Sequence, residues 1–224
     1  MRFVILIAFL LLFQCVKPEL NHPKDFGTDA FWETETILCF TGKLSECLPS
    51  VPVCSTCRFF STTTSYTGNR GGIAGSDAIC MSDPKKPNDP QRAVYKAFLV
   101  DDVNRIACTT SNCLTGGLSE HVDWILKPDT TYVRAVDNVT IATTNSVGIF
   151  TTQTNDAENP PIAASIFTGM NTSGWTTRSG NHCSRWNDGT NLSSGSIAPN
   201  SNSLYFSGGV PTCDTTTVIL CVEQ

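Results

Sequence analysis

The sequence predicts an α+β domain with long loops that is held together by disulfide bonds. Short apolar segments rich in β-branched and aromatic residues recur along the chain, which is typical of strands. One segment, residues 71–82, has the pattern of a helix. Eleven of the 224 residues are cysteines, and an export signal at the N-terminus indicates an oxidising compartment for them.

The first residues of the chain have the features of an export signal. Arg2 precedes an unbroken apolar run from Phe3 to Phe13, and Gln14 and Cys15 follow. This run is too short to cross a bilayer as a helix, which needs about 20 apolar residues. We therefore predict that residues 1–14 are a cleaved signal peptide.

A cysteine directly after such a run resembles a bacterial lipobox, in which the thiol is acylated and becomes the mature N-terminus. The match is relaxed, because Phe13-Gln14 replaces the usual small pair. We expect lipid on Cys15 and a tether in residues 15–31, which contain prolines, lysines and few large apolar side chains. The alternative is a secreted protein that is cleaved beyond Cys15.

Residues 32–57 are predicted to be a Cys-rich extension. Its cysteines are Cys39, Cys47, Cys54 and Cys57, and the sequence leaves their three connectivities open. Cys54 and Cys57 also have the spacing of a redox motif. A structural disulfide is the better interpretation, because the pair does not open a helix after a core strand.

Residues 58–224 contain the predicted helix and strands. Strands are expected at Phe59-Phe60, Val94–Val100, Trp124–Leu126, Val133–Val139, Val147–Phe150 and Val218–Val222. In the helix, we expect Ile73, Ala74, Ala78, Ile79 and Met81 to face the core. Residues 151–164 and 188–210 are rich in Thr, Asn, Ser and Gly, which predicts long loops with functional surfaces.

Three cysteine-bearing segments carry a resemblance to a known family. They are Asn69–Cys80, which is rich in glycine, Ser179–Trp186, and Val218–Glu223, and Cys213 lies between the last two. This order resembles the C-type-lectin-like domain, and within that superfamily it is similar to endostatin. The chain most resembles the leptospiral endostatin-like surface lipoproteins.

The resemblance implies two disulfide bonds, Cys80 to Cys221 and Cys183 to Cys213. The first would connect the early helix to the terminal strand. From the residues themselves, Cys108 and Cys113 flank a short turn-rich segment and are expected to close a local loop.

Trp186-Asn187-Asp188 spells the tripeptide with which calcium-dependent lectins ligate calcium through side-chain oxygens. Its position differs from theirs, because here it follows the second cysteine of the motif rather than preceding the third. The companion segment is also altered, since Glu158-Asn159-Pro160 places its proline last. We therefore expect a buried Trp186 and a turn at Asn187-Asp188 rather than a metal site.

The chain lacks the common catalytic motifs, so we predict no enzyme, metal ion or cofactor. It has no Gly-x-Ser-x-Gly, His-Glu-x-x-His or phosphate-loop sequence. Ser82 and Lys85 have Ser-x-x-Lys spacing, but Pro84 favours a turn. His121 lies near Glu120 and Asp123 without a recognisable nucleophile. The formal charge of −5 disfavours nucleic-acid binding.

The resemblance implies a function in adhesion. The leptospiral endostatin-like proteins are surface lipoproteins of the bacterial outer membrane that bind host extracellular-matrix proteins such as laminin and fibronectin. Some also capture complement regulators or plasminogen. The same partners are expected here, although no residue motif locates the binding residues. A calcium-dependent glycan-binding lectin is the alternative.

Lipidation of Cys15 can be tested by substitution. We expect Cys15→Ser to leave the precursor unprocessed or to release the protein from the detergent phase, since acyl chains anchor a protein through their buried methylene groups. Detergent phase partitioning and intact mass are the measurements. Unchanged partitioning and mass would refute the anchor.

Overall fold

The computed structural model describes residues 54–88, 93–157, 165–171, 173–198 and 208–224. The strands are β1 (Thr56–Ser61), β2 (Tyr95–Ala97), β3 (Thr131–Arg134), β4 (Thr140–Thr143), β5 (Ile166–Phe167), β6 (Ile197–Ala198) and β7 (Leu220–Glu223). The helices are α1 (Gly72–Ser82) and α2 (Cys183–Trp186), and 3-10 turns span Ser111–Cys113 and Gly117–Glu120. Within these ranges, no helix is both long and apolar enough to span a bilayer.

The main sheet has five strands in the order β2-β7-β1-β3-β4. β1 is parallel to β3, and the other neighbours are antiparallel. β5 and β6 form a separate antiparallel pair. The terminal strand β7 therefore lies inside the sheet, between two strands from the beginning of the domain.

Both faces of the sheet are buried. Phe59, Leu220 and Val222 belong to one apolar cluster, whereas Phe60 and Cys221 belong to the other. Consecutive residues of a strand point to opposite faces, so a strand covered on both sides needs an unbroken apolar run. This explains why Phe59-Phe60 and Val218–Val222 could be recognised from the sequence.

The predicted α+β class with disulfides is confirmed, but several strand assignments are wrong. Trp124–Leu126 and Val147–Phe150 are loop segments with mostly buried side chains, and only Phe150 among them forms an isolated bridge, to Thr144. Residues 133–139 are the end of β3 followed by a turn, and β4 was not predicted. Apolar loop residues and strand residues look alike in sequence when both pack into the same core.

The predicted inner face of α1 is also partly wrong. Ile73, Ser76 and Cys80 are the buried residues of the helix, whereas Ala74, Ala78 and Met81 are exposed. The inner face follows the helical period from the disulfide at Cys80, and a polar residue, Ser76, occupies its middle. Its hydroxyl donates to the carbonyl of Gly72 at 2.8 Å, so burial leaves no unpaired donor.

Four disulfides occur among the described residues. Cys80 bonds to Cys221 and Cys183 to Cys213, which are the pairs that the resemblance implies. Cys108 bonds to Cys113 and Cys54 to Cys57. Cys57 lies within β1, so this last bond fixes the beginning of the central strand. Cys15, Cys39 and Cys47 lie outside the described residues.

A buried arginine connects α1 to the sheet. The Arg105 side chain is 0% exposed and forms salt bridges to Asp77 of α1 at 2.7 Å and to Asp123 at 2.6 Å. It also donates to the carbonyl of Ala97, at the end of β2, at 2.8 Å. Asp77 accepts from the backbone N–H of Ala97 at 2.8 Å. All three guanidinium nitrogens are therefore hydrogen-bonded, as a buried cation requires.

Replacing Arg105 should strongly destabilise the fold. We expect Arg105→Met to lower the free energy of unfolding by about 3 kcal/mol, because Asp77 loses its buried cation. Urea unfolding measures the change. The control is Arg134→Met, which breaks the ion pair with Asp137 three residues away and should cost about 1 kcal/mol or less. Equal losses in the two variants would contradict the role of Arg105.

Candidate functional site

The central cysteine segment forms one turn of left-handed helix. Cys183, Ser184, Arg185 and Trp186 have φ angles of 49°, 51°, 57° and 63°. The N–H of Trp186 donates to the carbonyl of His182 at 2.8 Å, and that of Asn187 donates to Cys183 at 3.0 Å. L-residues avoid this conformation, at a cost of roughly 1–2 kcal/mol each. The surrounding structure must therefore hold the turn in place.

Three contacts hold the left-handed turn. Cys183 is bonded to Cys213, and the indole of Trp186 is fully buried and donates to the carbonyl of Val100 at 3.0 Å. Gly195 packs directly against the turn, since a Cβ at this glycine would lie 2.8 Å from the sulfur of Cys183. A larger residue at 195 would clash with the ring of Phe167, 2.5 Å from such a Cβ, and with the disulfide.

Arg70 is buried against the same turn. Its guanidinium lies 5.2 Å from the ring centroid of Phe167 and 5.7 Å from that of Trp186. It donates to the hydroxyl of Thr217 at 2.7 Å, while its Nη1 has no partner in the described chain. Burial lowers the pKa of Arg70 to about 9, so it still carries its charge at neutral pH. The aromatic rings supply much of the stabilisation that a carboxylate would otherwise give.

Asp188 is committed to the loop that follows the turn. Its Oδ1 accepts from the backbone N–H of Thr190 at 2.8 Å, and its Oδ2 accepts from the hydroxyl of Ser193 at 2.6 Å. The bonds from Ser193 and Thr190 lower the pKa of the Asp188 carboxyl. Asn187 donates its amide to the carbonyl of Arg185 at 3.0 Å. The geometry is that of an Asx turn.

The loop held by Asp188 presents one large apolar side chain to solvent. Leu192 is 90% exposed. Two backbone hydrogen bonds fix the loop after Leu192. The N–H of Cys213 donates to the carbonyl of Ser193 at 3.0 Å, and the N–H of Cys183 donates to the carbonyl of Ser194 at 3.0 Å. Leu192 is therefore an exposed apolar group on an ordered loop.

The histidine of this region does not have the arrangement of a general base. The Nδ1 of His182 accepts from the backbone N–H of Arg185 at 3.0 Å, so this nitrogen is used within the turn. Its Nε2 lies 3.7 Å from Asp102, which Arg185 binds at 2.6 Å. In the part of the chain that the structure describes, neither ring nitrogen is hydrogen-bonded to a hydroxyl or thiol, and a general base must lie within hydrogen-bond reach of the nucleophile that it activates.

His121 and Ser82, the serine of the Ser-x-x-Lys pair, are also hydrogen-bonded within the fold. The Nε2 of His121 lies 2.9 Å from the carbonyl of Val147, and its Nδ1 contacts the carbonyl of Ala107. The hydroxyl of Ser82 donates to the carbonyl of Ala78 at 2.9 Å. Both side chains thus satisfy the backbone of their own surroundings.

A cavity of about 430 Å³ at the start of α1 is lined by two carboxylates, Asp77 and Asp123. Both are bound to Arg105. Among the residues that the structure describes, no three His, Cys, Asp or Glu side chains come together to hold a metal ion. Glu158, Asn159 and Pro160, the altered companion of the calcium tripeptide, lie outside the described residues.

Sequence reasoning located the Trp186-Asn187-Asp188 turn but missed its handedness and the contacts around it. None of the residue types in this segment predicts a left-handed turn of four L-residues. The rings that cover Arg70 and the carboxylates that bind Arg105 are far from them in sequence, so the burial of the two arginines could not be predicted from neighbouring residues.

The chain matches a family model described as a protein of unknown function (DUF1554) over residues 63–203. This range includes α1, the strands β2, β3 and β4 of the main sheet, the left-handed turn and the Leu192 loop. No curated protein matches the chain.

The left-handed turn predicts an unusual response to glycine. Ser184→Gly should raise the free energy of unfolding by about 0.5–1 kcal/mol, because relief of the left-handed strain exceeds the entropy that glycine gains in the unfolded chain. Ala78→Gly, on the exposed face of α1, should lower it by about 1 kcal/mol. Chemical unfolding of both variants is the measurement. A loss of stability in both would contradict the left-handed geometry.

Proposed function

The chain belongs to the DUF1554 family, and we propose that it is an exported binding module that holds protein ligands on disulfide-braced loops. The observation that carries this proposal is the use of Asp188. Both carboxylate oxygens hold the loop that exposes Leu192. Asp188, which would ligate calcium in a lectin, is thus used here to hold the loop that we propose as the contact surface for a protein ligand.

We propose the C-type-lectin-like architecture for the domain. Two observations support it. Cys80–Cys221 connects the early helix to the terminal strand, and Cys183–Cys213 braces the loops between them. The terminal strand β7 also lies inside the sheet, beside the first strand.

The fixed conformation of the loop that exposes Leu192 favours binding of a folded protein. A loop that is already fixed loses little conformational entropy when it binds, and an exposed apolar residue at its tip can enter a pocket of the partner. The disulfide at its base and the bonds of Asp188 provide that order for Leu192.

The proposed partners and the proposed location are inferred from the resemblance of the sequence to the leptospiral endostatin-like surface lipoproteins. We propose laminin, fibronectin and related matrix proteins as ligands, with complement regulators or plasminogen as further ones. We also propose that Cys15 anchors the protein to the bacterial outer membrane and that residues 15–31 hold the domain away from it. An anchored adhesin needs an exposed, stable domain, which the disulfides favour.

Binding should depend on Leu192 and not on calcium. With the full chain purified in detergent, we expect binding to immobilised laminin or fibronectin to persist in EDTA. Leu192→Asp should weaken it at least tenfold, about 1.4 kcal/mol, because a charge replaces the apolar contact. Leu114→Asp is the matched control, since Leu114 is 86% exposed on another loop, and it should leave binding unchanged.

Two results would overturn this proposal. One is equal binding by the Leu192 variant and the wild type. The other is a rise in melting temperature with millimolar calcium that Asp188→Asn abolishes, because a calcium site at a hundredfold excess of metal over its Kd would stabilise the fold by about 2.7 kcal/mol. The second result would establish the lectin alternative.

A further inference from the structure

A small polar cleft lies away from the calcium tripeptide. Its volume is about 340 Å³, and three loops contribute its lining: the first provides Asn112, the second Asn145 and residues 149–151, and the third residues 173–175. Ile149, Phe150 and Trp175 form its floor, and each of them is at most 2% exposed. The floor is therefore closed and apolar, while the walls carry amides and hydroxyls.

Three of the four polar side chains that line the cleft make no hydrogen bond within the described chain, and the fourth uses only its oxygen. The side chains of Asn112, Thr151 and Ser173 make no hydrogen bond to any described residue, although each is at the protein surface. Asn145 accepts from the N–H groups of Val147 and Ile149 through its Oδ1, at 3.1 and 3.2 Å. Its Nδ2 makes no bond in the described chain. The exposed groups of Asn112, Thr151 and Ser173 and the Nδ2 of Asn145 are therefore available to a ligand that enters the cleft.

The walls are connected to each other, so the cleft is formed before any ligand binds. The N–H of Asn112 donates to the carbonyl of Gly174 at 2.7 Å, and the indole of Trp175 donates to the carbonyl of Phe150 at 3.2 Å. The Cys108–Cys113 disulfide closes the first wall. Preformed polar groups cost little entropy on binding.

Glu120 fixes the first wall further. Its carboxylate accepts from the hydroxyl of Thr110 at 2.6 Å and from the backbone N–H groups of Thr109, Thr110 and Gly116 at 2.6–2.8 Å. The bond from the Thr110 hydroxyl is the largest of the causes that lower the pKa of Glu120 to about 2. The loop that carries Asn112 is therefore bound to a permanently charged side chain.

The backbone on both sides of the cleft is left-handed. Asn112 and Cys113 have φ angles of 55° and 54° on one wall, and Gly174 and Trp175 have 83° and 59° on the other. Strained residues persist only where the surrounding structure holds them, and such residues often lie at binding sites. Here Asn112, Gly174 and Trp175, which have positive φ angles, all line the cleft.

We propose that this cleft binds a neutral saccharide without a metal ion. No charged side chain is among the described residues that line it, which disfavours a charged ligand. Amides and hydroxyls both donate and accept hydrogen bonds, as sugar hydroxyls do. The volume suits one or two sugar units, and the closed floor assigns recognition to hydrogen bonds rather than to ring stacking. This proposal does not depend on the Leu192 surface.

The test uses the full chain in detergent and EDTA, with four neutral disaccharides as probes: lactose, N-acetyllactosamine, maltose and chitobiose. Sialyllactose and an acetylated triglycine amide are the charged and peptide comparisons. We expect at least one neutral disaccharide to bind at millimolar concentration and to shift the amide NMR signals of Asn112, Thr151 and Gly174. The comparisons should not do so.

Asn112→Gly isolates the role of the amide, because glycine accepts the same φ angle. It should weaken binding about fivefold, the equivalent of about 1 kcal/mol for one hydrogen bond. Asn138→Gly is the matched control, since Asn138 is an exposed asparagine with φ 58° on another turn. This substitution should leave binding of the disaccharide unchanged.

Four outcomes would overturn the proposal: no binding by any of the neutral disaccharides, preference for the triglycine amide, a requirement for calcium, or equal losses in the two glycine variants. Binding of laminin or fibronectin through Leu192 would persist in each of these cases, so failure of the cleft is distinguishable from failure of the proposed function.

Discussion

The arrangement of the domain depends on one buried cation. Arg105 joins α1 through Asp77, the end of β2 through Ala97, and the loop at Asp123. A guanidinium with no exposed surface is tolerated only when its N–H groups find acceptors, so these three segments have one mutually compatible placement. The disulfide Cys80–Cys221 fixes α1 to the sheet at a second point. The helix is therefore held by a directional polar network and a covalent bond, in addition to its apolar contacts.

Polar side chains also stabilise the fold in the region around Trp186. Arg70, His182 and Asp188, which in isolation look like functional residues, are used to support a left-handed turn and the loop after it. The energetic cost of that turn is met by the Cys183–Cys213 bond and by burial of the indole. What remains for a partner is the outer surface of the loop. This use of the polar side chains is compatible with the binding function that we propose for the loop.

The two proposed sites differ in the way their polar groups are used. At the Leu192 loop the polar side chains are paired internally and an apolar residue is exposed. In the cleft beside Trp175 the apolar residues form a closed floor and polar side chains are left without partners. A protein surface matches the first pattern, and a hydroxyl-rich ligand matches the second. The disulfides Cys183–Cys213 and Cys108–Cys113 give each site its fixed geometry.

The sequence by itself determined the α+β class, the helix at residues 72–82 and the two strands at the centre of the sheet, because these are local periodic signals. The turn at Asn187-Asp188 was also expected from its residues. Only the tertiary structure decided the inner face of α1, the hairpin of β3 and β4, the left-handed turn, and the assembly of the cleft from three distant loops. Apart from the hairpin, these features depend on contacts between residues far apart in the chain, such as the bond of Cys80 to Cys221 at α1 and that of Cys183 to Cys213 at the left-handed turn. Contacts of this kind cannot be inferred from the spacing of residues in the sequence.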